Sequence, residues 1–365
     1  MNYILNYEDL QVGDIILQSG HKLHSKAIKK YTKSNFSHAM ICVTNMSIVH
    51  AEKEGIFSLN PQRLLVENIT DLKVLRLKKE LKDKDLKNLE YFLRDKIGSV
   101  YSVKEAISVI KNNRTDDDYN KFQFCSRLVA QAYEYINCQI VDNVNFCSPA
   151  DIENSTLFRE VENIIRKSEK KDIDFALTPN VIKENQKSMY DWLNKTRDLA
   201  YERYKFNISK INDVDMFLHK YPSEDITVSN YMINSGYLEN YKIEVSNNLH
   251  MHDKELFISK FIDPDNIMFA IYQEFKIIPE PTERHITNYI NAKENYQNTF
   301  FEFYKIQMNL YKALLSVSMS KYITLYEVYL ELFRTGIKDE GDIIIYLQYH
   351  LEKLKEMEIE KYNKT

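Results

Sequence analysis

Glycine and proline are scarce in this chain, with seven of each among 365 residues. Glycine supplies most of the left-handed backbone positions that tight turns need, so a chain with few glycines has few such turns. Proline, which interrupts helices, is equally rare. We therefore expect a protein that is rich in helix.

Long apolar runs and an excess of positive charge are also missing. No run of about 18 apolar residues occurs, which is roughly the length that a membrane-spanning helix needs. Lysine and arginine number 49 against 53 aspartates and glutamates, for a formal net charge of −4. This balance gives no general attraction to nucleic acid. The sequence predicts no transmembrane segment and no nucleic-acid partner.

Cysteine is sparse and lacks the spacing of a metal site. The four cysteines are Cys42, Cys125, Cys138 and Cys147. Residues 1–17 contain acidic side chains in place of the basic start and apolar run of a secretory leader. We expect reduced thiols and a cytoplasmic protein. We expect no metal and no cofactor, since His250 and His252 alone are a weak metal motif.

Cys125 is predicted to lie at the first turn of a helix. Leu128, Val129, Ala132 and Ile136 recur at helical spacing and form an apolar face that should pack into a core. Backbone N–H groups and the helix dipole at that first turn favour a thiolate. A buried free cysteine is also common as a small hydrophobic residue, so the helix alone does not establish a nucleophile.

Two short strands, 37–43 and 47–52, are predicted to form a hairpin with a three-residue loop. In this register Met40 faces His50 and His38 faces Glu52, so the two histidines share a face. Diagonal neighbours across such a pair lie roughly 7–8 Å apart. A two-residue loop would move His50 to the opposite face.

Together, a cysteine at a helix start and histidines on a strand form the arrangement that nucleophilic thiol catalysis needs. Each histidine by itself is more often an ordinary strand residue. The three residues in combination predict a catalytic site.

The order of the motifs resembles the circularly permuted branch of the NlpC-type papain-like cysteine hydrolases, the YiiX-like proteins. The residues that carry the resemblance are Gly13-Asp14, Ser37-His38-Ala39, Val49-His50-Ala51, Gly98 to Tyr101 and Phe124-Cys125-Ser126-Arg127. In the unpermuted family the cysteine helix comes before the histidine strands, whereas here it follows them. The resemblance covers about residues 8–150.

The resemblance implies a role for each matching residue. Cys125 matches the nucleophile, His38 the general base and His50 the third residue that orients the base. Glu52 is the rival for the third position. Tyr101 matches a tyrosine that lines the cleft of the family and could offer its hydroxyl to a substrate or oxyanion, although a packed aromatic residue explains it equally well.

The fold class expected is α+β, with two domains in the chain. Residues 1–160 are predicted to form the permuted papain-like domain, with a small antiparallel sheet or barrel. Strands are expected at 15–17, 55–59 and 72–77, and an amphipathic helix at 83–96. Residues 161–365 are predicted to form a mainly helical domain of unknown role, with one helix opening at Thr178-Pro179.

Three functions remain open at this point. The preferred one is a cysteine hydrolase that cleaves a peptide, isopeptide, other amide or ester bond through a Cys125 thioester. The second is an acyltransferase or hydrolase of acyl lipids, for which the lysine-rich segment 21–34 could provide peripheral lipid contact. The third is a non-enzymatic scaffold whose helical domain binds a protein partner.

Overall fold

The structure is a computed structural model that describes residues 2–20, 34–52, 54–100, 125–334 and 342–362, without the side chains of residues 276, 333, 334 and 342. Contacts between residues divide the chain into two compact units, Met1–Phe217 and Leu218–Thr365. The domain boundary predicted between residues 160 and 161 was placed where the resemblance to the papain-like family ends. As a domain boundary it stays a prediction.

The first unit is built on an open, six-stranded antiparallel sheet in the order β5-β4-β3-β2-β6-β7, while β1 and β8 form a separate two-stranded pair. The strands are β1 (Tyr3–Leu5), β2 (Ile15–Gln18), β3 (His38–Thr44), β4 (Ser47–Glu52), β5 (Gly55–Leu59), β6 (Leu72–Leu77), β7 (Phe158–Glu160) and β8 (Ile165–Lys167). The α+β class is confirmed, and the sheet is not closed into a barrel.

Among the described residues, five helices lie wholly in the first unit. They are α1 (Asp83–Lys96), α2 (Cys125–Tyr135), α3 (Pro149–Glu153), α4 (Lys170–Leu177) and α5 (Val181–Tyr204). Alternate residues of the strands point to opposite faces of the sheet, and each face has its own core. Ile15, Leu17 and Ile41 pack with Leu128 and Val129 of α2 on one face. This packing brings the start of α2 against the sheet.

The Gly13-Asp14 turn that begins β2 is fixed by buried polar contacts. Gly13 has a φ of 89°, a left-handed conformation that favours glycine. Its carbonyl accepts a hydrogen bond from the Tyr133 hydroxyl of α2. Asp14 is 1% exposed and accepts two hydrogen bonds from Arg76 of β6, at 2.8 and 2.7 Å. The turn therefore joins β2, β6 and α2.

The predicted start of the long helix is wrong by two residues. Thr178 ends α4, and the side chain of Arg63 binds the Thr178 carbonyl at 2.7 Å and its hydroxyl at 2.9 Å. Asn180 caps α5 by accepting a hydrogen bond from the Lys183 backbone N–H at 3.1 Å. Both Thr178 and Asn180 are good caps, and the contact with Arg63, distant in the sequence, decides between them.

The second unit is mainly helical, as predicted. Helix α6 (Asp213–Lys220) contains the boundary, and the helices that follow are α7 (Asp225–Asn234), α8 (Asn240–Asn247), α9 (Lys254–Phe261), α10 (Pro264–Ile277), α11 (Pro279–Thr299), α12 (Glu302–Arg334) and α13 (Asp342–Glu356). Its core contains Phe257, Ile271, Leu315, Leu325 and Leu347. Among the described residues, no helix has the length and apolar character to cross a membrane.

Short 3₁₀ helices also occur in the described parts of the two units. They lie at Tyr7–Asp9, Pro61–Arg63, Ile69–Asp71, Pro222–Glu224, Tyr237–Glu239 and Leu249–His252.

Candidate active site

Strands β3 and β4 form the predicted hairpin, and Met40 faces His50 as expected. The loop is shorter than predicted, because β3 continues to Thr44 and β4 starts at Ser47. The register shifts between Cys42 and Thr44, where the pairing contains a bulge. A bulge adds one residue to one strand, which offsets the missing loop residue and keeps His50 on the predicted face.

The two histidine side chains meet directly. His38 Nε2 and His50 Nδ1 are 3.1 Å apart, and the ring planes are nearly perpendicular at 82°. His50 Nδ1 also lies 3.6 Å from an Oε1 oxygen of Glu52, whose side chain is largely exposed. The hydrogen bond between the rings uses Nε2 of His38, which leaves Nδ1 of the same ring for another partner.

Both imidazoles are held in the neutral form. Burial lowers the pKa of His38 to about 3, and the neighbouring His50 adds to that shift while Glu52 opposes it. Burial lowers the pKa of His50 to about 4. A neutral imidazole is the form that accepts a proton, so the pair can serve as a base at neutral pH.

Cys125 is the first residue of α2 and lies beside β3. Its thiol is buried, and the backbone amides of Ala39 and Ser126 act to lower the pKa of that thiol. Ala39 directly follows His38 on β3. The nucleophile candidate and the base candidate are therefore connected through adjacent backbone positions.

The pKa of Cys125 differs from the sequence-based expectation. We expected the first-turn amides and the helix dipole to favour a thiolate. Burial raises the pKa of the Cys125 thiol, and the hydrogen bonds from Ala39 and Ser126, which lower it, are weaker than that effect. Desolvation disfavours the charged form whatever the sign of the local dipole. Cys125 is therefore a thiol at neutral pH.

The other three cysteines have different surroundings. Cys42 is buried in β3, donates to the Thr44 carbonyl at 3.0 Å and has a raised pKa through burial. Burial raises the pKa of Cys147 to about 12. Cys138 is partly exposed, and its pKa is raised by partial burial. No contact with an imidazole is described for these three thiols.

A cleft of about 730 Å³ lies between the segment that follows α2 and the end of α3. It is lined by residues from 139–147 and 151–157, including Asp142, Asn143 and Phe146. Cys147 is among them, and its carbonyl accepts a hydrogen bond from the Ser126 hydroxyl at 2.6 Å. The cleft wall and the residue after Cys125 are thus bonded to each other.

Several predicted features lie outside the described residues. These are Tyr101 and residues 21–33 of the lysine-rich segment 21–34. In the second unit, His250 Nε2 lies 2.9 Å from the Lys260 ammonium. Among the described residues, no group of three or more metal-capable side chains comes together.

Sequence reasoning missed the Ala39 amide. A backbone N–H carries no residue-type signal, so its contact with the Cys125 sulfur becomes visible only once β3 and α2 are packed together. The position of Ala39 immediately after His38 was the available hint.

In this fold the histidine strands precede the cysteine helix, the order of a permuted papain-like domain. Residues 9–168 match the sequence model of a family described as "Permuted papain-like amidase enzyme, YaeF/YiiX, C92 family". The predicted YiiX-like domain is thereby confirmed, whereas its finer assignment to the NlpC type stays a prediction.

One similar solved structure is the metalloprotein yiiX from Escherichia coli O157:H7. It shares 18% sequence identity with this chain, covers 41% of this chain and 96% of its own, and has a TM-score of 0.28. A comparison with the curated proteins found no match.

Proposed function

We propose that the first unit hydrolyses an amide bond through a thioester on Cys125, with His38 as the general base and His50 as the residue that orients it. The observation that supports this most is the contact pattern at β3. His38 Nε2 lies 3.1 Å from His50 Nδ1, and the backbone amide of Ala39, the next residue on β3, acts on the pKa of Cys125.

The first step follows from the protonation states. Nδ1 of His38 takes the Cys125 proton while the sulfur attacks the carbonyl carbon, and a tetrahedral oxyanion forms. The Cys125 backbone N–H helps to hold this oxyanion. His38 becomes an imidazolium whose Nε2–H donates to His50 Nδ1. This role requires His38 to carry its resting proton on Nε2, and His50 to accept with Nδ1.

The second half of the cycle releases the products. The imidazolium of His38 gives its proton to the leaving amine, and the acyl group stays on the sulfur. Water, deprotonated by His38, then attacks the thioester and releases a carboxylic acid. The family description as an amidase favours an amide substrate, such as a peptide or isopeptide.

The test uses three probes that carry the same electrophilic group. They differ in the recognition group, which is a peptide, a ubiquitin-like protein or an acyl lipid. The labelled residue is identified by mass spectrometry in the full chain and in Cys125→Ser. We expect peptide or ubiquitin-like probes to label Cys125. Labelling by the lipid probe alone would contradict amide hydrolysis and favour acyl transfer. Equal labelling of the Cys125→Ser variant would show that the reactive thiol is another one.

A further inference from the structure

Strand β5 is the edge of the six-stranded sheet next to β4, which carries His50. Phe57 of β5 faces His50 across the strand pair, with ring centroids 6.4 Å apart. An edge strand has one row of backbone groups without a neighbouring strand. What binds those groups on β5 therefore determines how firmly one wall of the histidine site is held.

Gln186 of helix α5 occupies the position of a neighbouring peptide group. The Ser58 N–H donates to Gln186 Oε1 at 2.7 Å, and Gln186 Nε2 donates to the Ser58 carbonyl at 2.8 Å. The Gln186 side chain is buried. A single side-chain amide thus completes both backbone hydrogen bonds of one edge residue, as a strand partner would.

Tyr190 is one helical turn further along α5 and binds the start of β5. Its hydroxyl lies 2.9 Å from the Ile56 carbonyl and 3.2 Å from the Ser99 carbonyl. Its ring packs on Phe57, with centroids 4.9 Å apart. Tyr190 therefore touches the residue that faces His50 and also the segment that leads to Tyr101.

Gly55 shows how closely Tyr190 approaches β5. The φ of Gly55 is 145°, and a Cβ placed there would lie 2.1 Å from the Tyr190 hydroxyl. Only glycine fits at this contact. The sequence of β5 is thus adapted to the tyrosine of a helix more than 130 residues later in the chain.

We propose that Gln186 and Tyr190 are positioning residues of the active site, which hold β5 and Phe57 against His50. This inference rests on the proposed function, since it assigns to α5 the support of the His38–His50 pair. Helix α5 lies beyond the segment 9–168 that matches the family, so the catalytic domain extends functionally to at least Tyr204.

The consequence is measurable at His50. The titratable groups that meet its ring are His38 at 3.1 Å from β3 and Glu52 at 3.6 Å from β4, while β5 contributes the apolar ring of Phe57. Loosening β5 admits water to this apolar side. Hydration relieves the desolvation that lowers the pKa of His50, so the titration midpoint of the ring should move upward.

The experiment compares the full chain with Tyr190→Phe, which loses one hydroxyl, and Gln186→Met, which loses both amide hydrogen bonds at similar volume. The matched control is Tyr201→Phe on the exposed part of the same helix. Ring signals of His50 are followed against pH by NMR, with His50→Gln used for assignment. The Cys125 alkylation rate per folded molecule is measured in parallel.

We expect an upward shift of the His50 midpoint in both variants and a ~3–10-fold lower Cys125 rate, the effect of losing hydrogen bonds of ordinary strength. The control should match the wild type in both measurements. Unchanged titration and rate in the folded variants would overturn the inference. If Gln186→Met does not fold, Tyr190→Phe still decides the result. The titration of His50 is measured without any reaction at Cys125. An unreactive Cys125 in the wild type would therefore contradict the proposed function, while the titration would still test the positioning role.

Discussion

The two ends of strand β2 lie beside different polar groups, an ion pair at the start and a pair of neutral imidazoles at the end. At its start, Asp14 accepts two hydrogen bonds from Arg76, and a carboxylate and a guanidinium neutralise each other. At its end, Gln18 pairs with His38, whose ring is held neutral against His50. Asp14 is 1% exposed whereas His38 is half-buried, and the two ends also differ in the charge beside each group: a guanidinium beside Asp14, and a largely exposed carboxylate beside the histidine pair.

This difference separates a structural site from a reactive one. A buried ion pair with good geometry is fully satisfied, and breaking it is costly because a charge is left alone. The largely exposed carboxylate of Glu52 lies 3.6 Å from His50, yet burial shifts the pKa values of His38, His50 and Cys125 away from the charged forms. Groups with pKa values shifted in this way are candidates for proton exchange in a reaction, which is the role we propose for them.

The largest expected effect is the loss of the base. His38→Ala should reduce the alkylation rate of Cys125 by iodoacetamide at pH 7 by ~10²–10⁴-fold, the usual contribution of a general base. Cys138 is the internal control, because it is partly exposed and its rate should not change. Both rates come from one digest analysed by mass spectrometry. Equal slowing of the two thiols, or none at Cys125, would contradict the role of His38.

At the start of β2, where Arg76 binds Asp14, we expect a substitution to lower stability and to leave the Cys125 rate unchanged. Arg76→Met leaves Asp14 buried without its partner and should destabilise the first unit by about 3–5 kcal/mol. Urea unfolding is followed by the fluorescence of Trp192, the single tryptophan, which is buried in α5. The control is Arg159→Met on the exposed β7 position that faces Arg76. A Cys125 rate that falls in the folded Arg76→Met protein would break the distinction between the two ends.

The orienting role of His50 predicts a smaller effect than that of His38. We expect His50→Ala to lower the Cys125 rate ~10-fold and to leave a measurable remainder, because an orienting group does not itself exchange the proton. His50→Glu should retain more activity than His50→Ala, since a carboxylate can accept from His38 Nε2–H. If Glu52→Ala loses most of the Cys125 rate while His50→Ala keeps the wild-type rate, Glu52 and not His50 is the residue that orients His38.

The smallest effect concerns stability against pH. His38 and His50 have folded pKa values of about 3 and about 4, below the ordinary 6.5. The unfolded chain therefore binds more protons in this range, and the stability present above about pH 6.5 is lost as the pH falls towards those values.

The slope is about 1.4 kcal/mol per pH unit for each such histidine within that window. Urea unfolding of the wild type and His50→Ala at pH 7.5, 6.5 and 5.5, read from Trp192, isolates the contribution of His50, since the carboxylates act alike in both. The variant should lose less stability on acidification. Parallel slopes would show that His50 is not held neutral in the folded protein.

The sequence predicted the elements whose pattern is local. Short runs of strand-forming residues located β4 and β5, and helical periodicity located α1 and α2. The facing of Met40 and His50 was predicted correctly although the loop was not, because the bulge between Cys42 and Thr44 leaves no mark in residue types.

The remaining features depend on contacts between distant segments. The choice of Asn180 as the cap of α5 depends on Arg63. The support of β5 by Gln186 and Tyr190 joins residues that no local pattern connects. The raised pKa of Cys125 depends on how much water reaches its sulfur, and burial at a helix start cannot be read from the dipole argument alone.

The most direct test of the account is the charge of Cys125 at rest. Ultraviolet thiolate absorbance is measured against pH for the wild type, and the signal of Cys125→Ser is subtracted. Because burial raises the Cys125 pKa, the difference signal should be absent at pH 7 and appear only above the ordinary thiol pKa of about 8.5. A Cys125-dependent thiolate signal between about pH 5 and 7 would show a permanent thiolate–imidazolium pair and contradict the neutral resting site.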